Sequence, residues 1–569
     1  MQQLVYRFND STPRKSHSRF PTALALAFVA ATILPNLILA TTEHYPLWST
    51  EALILLPLGF YMMWSVALRR SGIMIWLGFP FLFFGAFQIV LLYLFGNSIV
   101  AADMLTNVIT TNPGEATELL GNIYPAVLFV AALYLPLLWL AAREIGRKRT
   151  LSTTARKTIG LSGAAIFGLG ALALWPAYRT SDHVLRDEVF PINVGYNVYV
   201  SGSELRKSLR FGQTTADFDF HARRTVVPAE REIYVYVIGE ASRAMNWQLY
   251  GYRRPTNPCL KRIDDLILHR NVLTQSNTTH KSVPLFLSSV DTNEHEEIYR
   301  RKGLPALFNA AGFETRFISN QSRQGAMIDN LARDARHIRY LGEPRLDMQL
   351  LDEMKQAVER SSSRKILFIL HCYGSHFSYH CRYPRSYARF VPDPDAAIRP
   401  QNSEALRNAY DNSICYTDAF LAATIDYLRS LPETASALLY CADHGEDLFD
   451  DRRGRFLHAS PTTTAYQLHV ASFSWFSERY RQLFPEKAAA AEANASAPAT
   501  TRFMYHTMAD IASIEGWYCD RSASLVSFDY DRRAPRRYLN DHNEAVRFSR
   551  TGLEEADYEV FRRAGIAVD

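Results

Sequence analysis

Cysteine is scarce in this chain. Its 569 residues hold six, Cys259, Cys372, Cys381, Cys415, Cys441 and Cys519, and none stands in a Cys-x-x-Cys pair, which excludes a zinc ribbon. Excess charge is scarce too. A formal net charge of +5 is small for this length and argues against a nucleic-acid partner. No internal repeat is present, so a repeat architecture is excluded. Long apolar runs are nearly absent after residue 176, which confines membrane crossing to the N-terminal third. In an oxidising compartment Cys372 and Cys381 have the spacing to pair across a loop, whereas Cys415 and Cys441 read as core packing.

The N-terminal third is where the apolar runs lie. Five spans are expected: Phe20–Ala40, Ser49–Leu68, Ile73–Phe95, Tyr124–Ala142 and Ile159–Trp175. Each has roughly 18–23 residues, enough for a helix to cross a bilayer. Basic residues orient them. Arg7, Arg14, Lys15 and Arg19 precede the first span, and Arg69 and Arg70 follow the second. Arg143, Arg147, Lys148, Arg149, Arg156 and Lys157 lie between the fourth and fifth, while the loop after the third carries Asp103, Glu115 and Glu118. Positive loops stay in the cytoplasm, so the N-terminus is expected inside and everything after Trp175 outside. The domains then read as 1–176, a transmembrane domain; 177–230, a linker with interfacial helices; and 231–569, a soluble domain.

From Glu232 onward the pattern changes to strand, helix, strand. Ile233–Ile238, Glu314–Ser319, Lys365–Leu370, Ala437–Tyr440 and Leu468–Trp475 read as strands, with Met348–Glu359 and Ser403–Leu428 as helices between them. This alternation predicts a mostly parallel sheet covered on both faces, with a site beyond the carboxyl ends of its strands. Lys487–Thr500, rich in alanine and interrupted by proline, reads as a surface loop.

Polar residues gather at those strand ends. Cys441-Ala442-Asp443-His444-Gly445-Glu446 empties an apolar run into an acid and an imidazole, donors that suit zinc. Glu240 ends the first strand. Thr279 precedes an apolar helix at Leu285–Ser289, where the helix N-terminus favours an anion. A metal ion at its oxygen would lower the hydroxyl pKa and make a nucleophile, although a plain helix N-cap accounts for the same threonine. Glu240, Thr279, Asp443 and His444 together make a four-ligand set. His371, His376 and His458 can contact phosphoryl oxygens, hold a second metal or protonate a leaving group. Glu446 reads as an acid that orients a neighbour, or as a cap.

Several motifs in one order carry a family resemblance. Val237-Ile238-Gly239-Glu240-Ala241-Ser242-Arg243 and then Tyr250 to Pro258 resemble the opening of the phosphoethanolamine transferase catalytic domain. Thr279 to Pro284 resembles its nucleophile segment. His371 to His376, Arg382-Tyr383-Pro384, Tyr410 to Ser413, Asp443 to Glu446 and Leu457-His458 follow in the family's order. Met104 to Val108, with Thr111-Asn112 and Glu115-Ala116, resembles its loop between the third and fourth spans. The resemblance runs from the first span to about residue 515.

That resemblance implies an N-terminal all-α five-helix transmembrane domain and a C-terminal α/β alkaline phosphatase-like periplasmic domain. It implies zinc as cofactor, in one tight site with a second, weaker one open, with ligands on Glu240, Thr279, Asp443 and His444. Thr279, His376 and His458 take catalytic positions; Asn320, His371, Gln324 and Glu446 take substrate-binding ones. Two departures stand out. Lipid A-directed members carry a lysine where Gln324 stands, and no Cys-Gly precedes the nucleophile segment. Both place the chain closer to members acting on core sugars or glucans.

The expected activity is transfer of phosphoethanolamine from phosphatidylethanolamine, through a covalent threonine intermediate, to lipopolysaccharide core, lipid A or a periplasmic glucan. The expected protein is a monomer in the bacterial inner membrane. One alternative is a phosphoglycerol transferase of the same fold, and another a catalytically silent membrane sensor or scaffold. A sulfatase ranks below these, since no Cys-x-Pro-x-Arg-type segment stands before the helix.

Overall fold

The computed structural model describes residues 19–96, 98–110, 113–323, 327–343 and 345–568. Arg7, Arg14, Lys15, Thr111, Asn112 and Gln324 lie outside the described residues, as do the side chains of Glu115 and Glu118. Two compact units divide the chain. One takes the residues up to Leu91 together with Pro125–Val194; the other takes Leu92–Tyr124 and Gly195–Asp569.

The helices of the first half are α1 (Phe20–Thr42), α2 (Leu47–Ser65), α3 (Ser71–Leu77), α4 (Phe79–Phe95), α5 (Ala102–Thr110), α6 (Pro113–Gly146) and α7 (Thr153–Ala177). Four of them contain a stretch long and apolar enough to cross a membrane: α1, α2, Gly121–Gly146 of α6, and α7. The bent pair α3 and α4, meeting at 56°, makes a fifth if it counts as one span. The third expected span is thus broken, because Gly78 and then Pro80 interrupt its hydrogen-bond ladder. Small residues let α2 and α7 approach closely. A Cβ on Gly59 would lie 2.6 Å from the Gly163 carbonyl oxygen. Large apolar side chains face outward, among them Leu161, Leu172 and Trp175, which are 70% exposed or more.

The second unit is built on a seven-stranded sheet. Its strands are β1 (Arg231–Gly239), β2 (Ile267–Leu268), β3 (Glu314–Ser319), β4 (His337–Tyr340), β5 (Lys365–His371), β6 (Thr434–Ala442) and β7 (Ser472–Phe476), in the order β2-β7-β6-β1-β5-β3-β4. Pairing is parallel except that β7 runs antiparallel to both of its neighbours. Alternation along β1 feeds two cores: Tyr234, Tyr236 and Ile238 enter one, and Ile233, Val235 and Val237 enter the other. Helices α8 (Ile192–Leu209), α9 (Thr279–Leu287), α10 (Met348–Arg360) and α11 (Ser403–Arg429) belong to the same half of the chain.

Three sequence expectations change. The run Leu468–Trp475 is not one strand: a helical turn ends at Leu468, and β7 starts only at Ser472. The helix expected at Leu285–Ser289 begins at Thr279, so Pro284 sits inside it. Lys487–Thr500 is largely helix, Pro485–Asn494, followed by a short strand at Ala499–Thr500. Alanine is the strongest helix former, and Ala488, Ala490 and Ala491 are buried there. The six cysteines are free thiols, Cys372, Cys415 and Cys441 among the buried ones.

Candidate active site and metal centre

Adjacent strand ends deliver the site. Glu240 follows β1, Asp443 and His444 follow β6, His371 closes β5 and Asn320 follows β3. Register fixes the turns. Asp443 N–H donates to the Gly239 carbonyl at 3.0 Å, and the Asp443 carboxylate accepts from Ala241 N–H at 3.1 Å and from its neighbour His444 N–H at 2.8 Å. Gly445 is required by close approach. A Cβ there would lie 2.0 Å from the Tyr466 carbonyl oxygen.

Helix α9 brings the hydroxyl. Thr278 is its N-cap and Thr279 its first residue, so Thr279 is not itself the cap. Thr279 Oγ1 lies 3.3 Å from Glu240 Oε2 and 3.1 Å from His444 Nε2. His444 Nε2 is 3.4 Å from Glu240 Oε1 and 3.4 Å from Asp443 Oδ2. Ser282, one turn along α9, donates to Asp443 Oδ2 at 3.3 Å. The four expected ligands therefore converge, and Glu240, Asp443 and His444 are fully buried.

The donor set fits a divalent cation. His444 Nδ1 is 2.9 Å from the Gly445 carbonyl oxygen. That oxygen can only accept, so Nδ1 carries the proton and Nε2 turns its lone pair toward two carboxylates. Burial holds His444 below its usual pKa, against the pull of Asp443, which keeps the imidazole neutral. A lone pair and two buried carboxylates facing one another is a repulsive arrangement that a cation resolves.

A second group overlaps the first. His444, Glu446 and His458 also bring ligand atoms together. His458 Nδ1 is 2.8 Å from Glu446 Oε2, and Tyr379 donates its hydroxyl to Glu446 Oε1 at 2.8 Å. The rings of His444 and His458 lie 4.0 Å apart. Burial pushes the Glu446 carboxyl up to about 7 and His458 down to about 3.

The remaining expected residues sit around these groups. His376 stacks on Tyr373 at 5.2 Å, and its Nδ1 bonds the Phe377 carbonyl at 2.5 Å. Asn320 donates to Asp347 Oδ1 at 2.8 Å, and His371 Nδ1 pairs with the Ser319 hydroxyl at 3.2 Å. Asn320 Oδ1 and His371 Nε2 are buried without a hydrogen-bond partner among the described residues. Burial lowers His371 to about 4.

Sequence reasoning missed several supporting residues. Gln321 donates to Glu240 Oε2 at 2.9 Å and to the Cys372 carbonyl at 2.9 Å, fixing the first ligand. Asp347 accepts from Tyr373 N–H at 2.8 Å and Gly374 N–H at 2.9 Å, which shapes the turn before His376. Arg243 forms a buried two-pronged ion pair with Asp450 at 2.6 and 2.9 Å and donates to the Glu446 carbonyl at 2.9 Å. Only Gln321 carried a signal, since it directly follows Asn320 at the end of a strand.

Residues 232–514 match the sulfatase family, and residues 95–198 match the family described as phosphoethanolamine transferase EptA/EptB. The Kdo(2)-lipid A phosphoethanolamine 7''-transferase of Escherichia coli K12 is 27% identical over 417 residues, covering 68% of this chain and 72% of that protein. Among solved structures, the integral membrane lipooligosaccharide phosphoethanolamine transferase A of Neisseria meningitidis aligns with a TM-score of 0.70 at 21% identity, over 89% of this chain and 98% of its own. The zinc complex of the C-terminal periplasmic domain of EcEptC from Escherichia coli aligns with a TM-score of 0.52 at 22% identity, over 59% and 97%. These two share the fold.

Proposed function

Because the chain belongs to the phosphoethanolamine transferase family, with a sulfatase-like catalytic domain, we propose that it carries phosphoethanolamine from phosphatidylethanolamine to a cell-envelope acceptor by way of Thr279. One observation carries this reading: Thr279 Oγ1 opens a helix and lies within 3.3 Å of both Glu240 and His444. A helix N-terminus draws the phosphoryl group toward that oxygen.

Zinc held by Glu240, Thr279, Asp443 and His444 would supply the positive charge that lowers the hydroxyl pKa and offsets charge on the phosphoryl oxygens. The Glu446–His458 pair offers donors for a weaker second ion. In the first half-reaction a bond forms between Thr279 Oγ1 and the donor phosphorus, and the bond from phosphorus to the diacylglycerol oxygen breaks. The hydroxyl proton leaves along its hydrogen bond to Glu240. With the Glu446 carboxyl, pushed up to about 7, donating to His458 Nδ1, the neutral imidazole carries its proton on Nε2 and delivers it to the departing oxygen while Nδ1 takes the Glu446 proton; His376 is the other donor within the site. Asn320 and His371 hold buried polar atoms free for the headgroup. An acceptor oxygen on lipopolysaccharide core, lipid A or a glucan then takes the group and Thr279 regains its proton.

The setting is the inner membrane, with the catalytic domain in the periplasm and the N-terminus in the cytoplasm. Residues 1–176 span, 177–230 link through interfacial helices, and 231–569 catalyse, as a monomer. The basic loops support this orientation. Leu151 N–H donates to the Arg69 carbonyl at 2.8 Å, and Arg156 donates to the Val66 and Ala67 carbonyls at 2.9 Å, so the two positive loops share one end of the bundle. Helix α8 exposes Tyr199 and Leu209, side chains suited to a lipid interface.

Intact-protein mass analysis after incubation with phosphatidylethanolamine tests the reading. The expected result is one phosphoethanolamine adduct on the wild-type chain and none on Thr279→Ala. An adduct on the variant would overturn the nucleophile assignment.

A further inference from the structure

The first turn of α9 contains an unusual pair of neighbours to the nucleophile. His280 and Lys281 follow Thr279 directly, and Lys281 is only 3% exposed. A cation in the first turn of a helix opposes the macrodipole, and a buried ammonium is costly without a partner. Its partner comes from a distant part of the chain. Lys281 Nζ lies 2.6 Å from Asp103 Oδ1, and His280 Nε2 lies 3.3 Å from the same oxygen. Lys281 also donates to the Asn540 carbonyl at 2.8 Å.

Asp103 sits in the first turn of α5, within the segment Leu92–Tyr124 that belongs to the same compact unit as the sheet. It is 4% exposed. The segment is fastened there by further bonds. Asn197 Nδ2 donates to the Val100 carbonyl at 2.8 Å, Ser201 donates to the Ala102 carbonyl at 3.0 Å, and Thr106 donates to Glu204 at 3.3 Å. One carboxylate oxygen thus grips two consecutive side chains that immediately follow the reacting hydroxyl.

We infer that Asp103 is a positioning residue for transfer: through Lys281 and His280 it sets where the first turn of α9 lies, and so where Thr279 Oγ1 lies relative to Glu240 and His444. The inference rests on Thr279 being the nucleophile. Asp103 touches neither ligand nor hydroxyl, so its effect is on the rate at which Thr279 reacts and not on donor binding. Displacing a reacting atom by about 1 Å can cost about a hundredfold in rate.

The experiment compares wild type, Asp103→Asn, Lys281→Met and the exchanged pair Asp103→Lys with Lys281→Asp, all as full chains in detergent with zinc. Rates of adduct formation are read by intact mass across donor concentrations, and hydrogen exchange is read over the peptide spanning 279–287. The expected result is a kcat lowered about 10- to 100-fold in each single variant, with KM for the donor unchanged, partial recovery in the exchanged pair and faster amide exchange in the first turn of α9. Unchanged kcat and unchanged exchange in Asp103→Asn would overturn the inference, and a loss expressed in KM alone would do the same. If wild type takes up no phosphoethanolamine, it is the proposed function that fails, and the exchange measurement still decides the role of Asp103. Zinc content and melting temperature separate an unfolded variant from a mispositioned one, and the exchanged pair then carries the decision.

Discussion

The two units of this chain solve opposite problems with the same residue types. The helical unit turns Leu161, Leu172 and Trp175 outward and packs inward on glycine. The sheet unit buries Glu240, Arg243, Asp443, His444 and Glu446 and answers them with neighbours such as Gln321, Asp450, Ser282 and His458. Exposure of leucine would be a liability in water and is the normal state in lipid. Burial of charge is a cost anywhere unless partners, or an ion, answer it. A residue's location is therefore informative only once the solvent of its unit is known.

The largest break in that contrast comes from removing a buried charge that the proposed zinc would answer. Asp443→Asn is expected to lower transfer about a thousandfold and to reduce zinc bound per chain, measured by elemental analysis of the purified protein. Retention of one zinc at wild-type affinity would remove Asp443 from the ligand set. Next in size is a buried charge answered by protein alone. Arg243→Met leaves Asp450 without its buried partner and is expected to cost about 3–5 kcal/mol, read as a lowered melting temperature. Little change there would mean that the pair contributes no stability.

The outward face of the helical unit sharpens the comparison from the other side. Leu172 is 73% exposed, so Leu172→Asp would be nearly neutral in water. In a bilayer it is expected to cost about 3 kcal/mol and to lower the yield of inserted protein. A normal yield would show that this face does not meet lipid.

Acid gives the smallest effect per residue. Burial lowers His269 to about 3 and His469 and His506 to about 4, so each is neutral when folded. Unfolded, they titrate near 6.5. Their depressed folded pKa values mean that stability is complete above about pH 6.5 and is lost as pH falls from there toward about 4. Each is expected to contribute about 1 kcal/mol of loss between pH 7.5 and 6. A pH series of melting temperatures checks this, and His269→Asn should flatten it.

Much of this was legible in the residues because strands of a parallel sheet are apolar throughout and end abruptly. Glu314–Ser319 was legible to the residue, and Glu240, Asp443 and His444 announced themselves as the polar residues that stop such runs. What was illegible depends on long-range pairing. Gln321 holds Glu240 from 81 residues away, and Arg243 meets Asp450 from 207 away, so no local pattern names either one's partner. Pro485–Asn494 misled because alanine and proline together resemble a loop, whereas proline in the first turn and alanine after it start a helix well. The start of α9 misled for a related reason: His280 and Lys281 look solvated, and the distant Asp103, with the Asn540 carbonyl, makes their burial possible.

The scattering of the ligands along the chain has a consequence for assembly. Thr279 is 39 residues from Glu240 and 165 from His444, and strands β3 and β5 are threaded between them. No nascent fragment ending before β6 contains the whole cage. Capture of the proposed zinc would therefore be a late event in maturation, tied to completion of the sheet, and a chain halted before β6 would have no means of scavenging an ion.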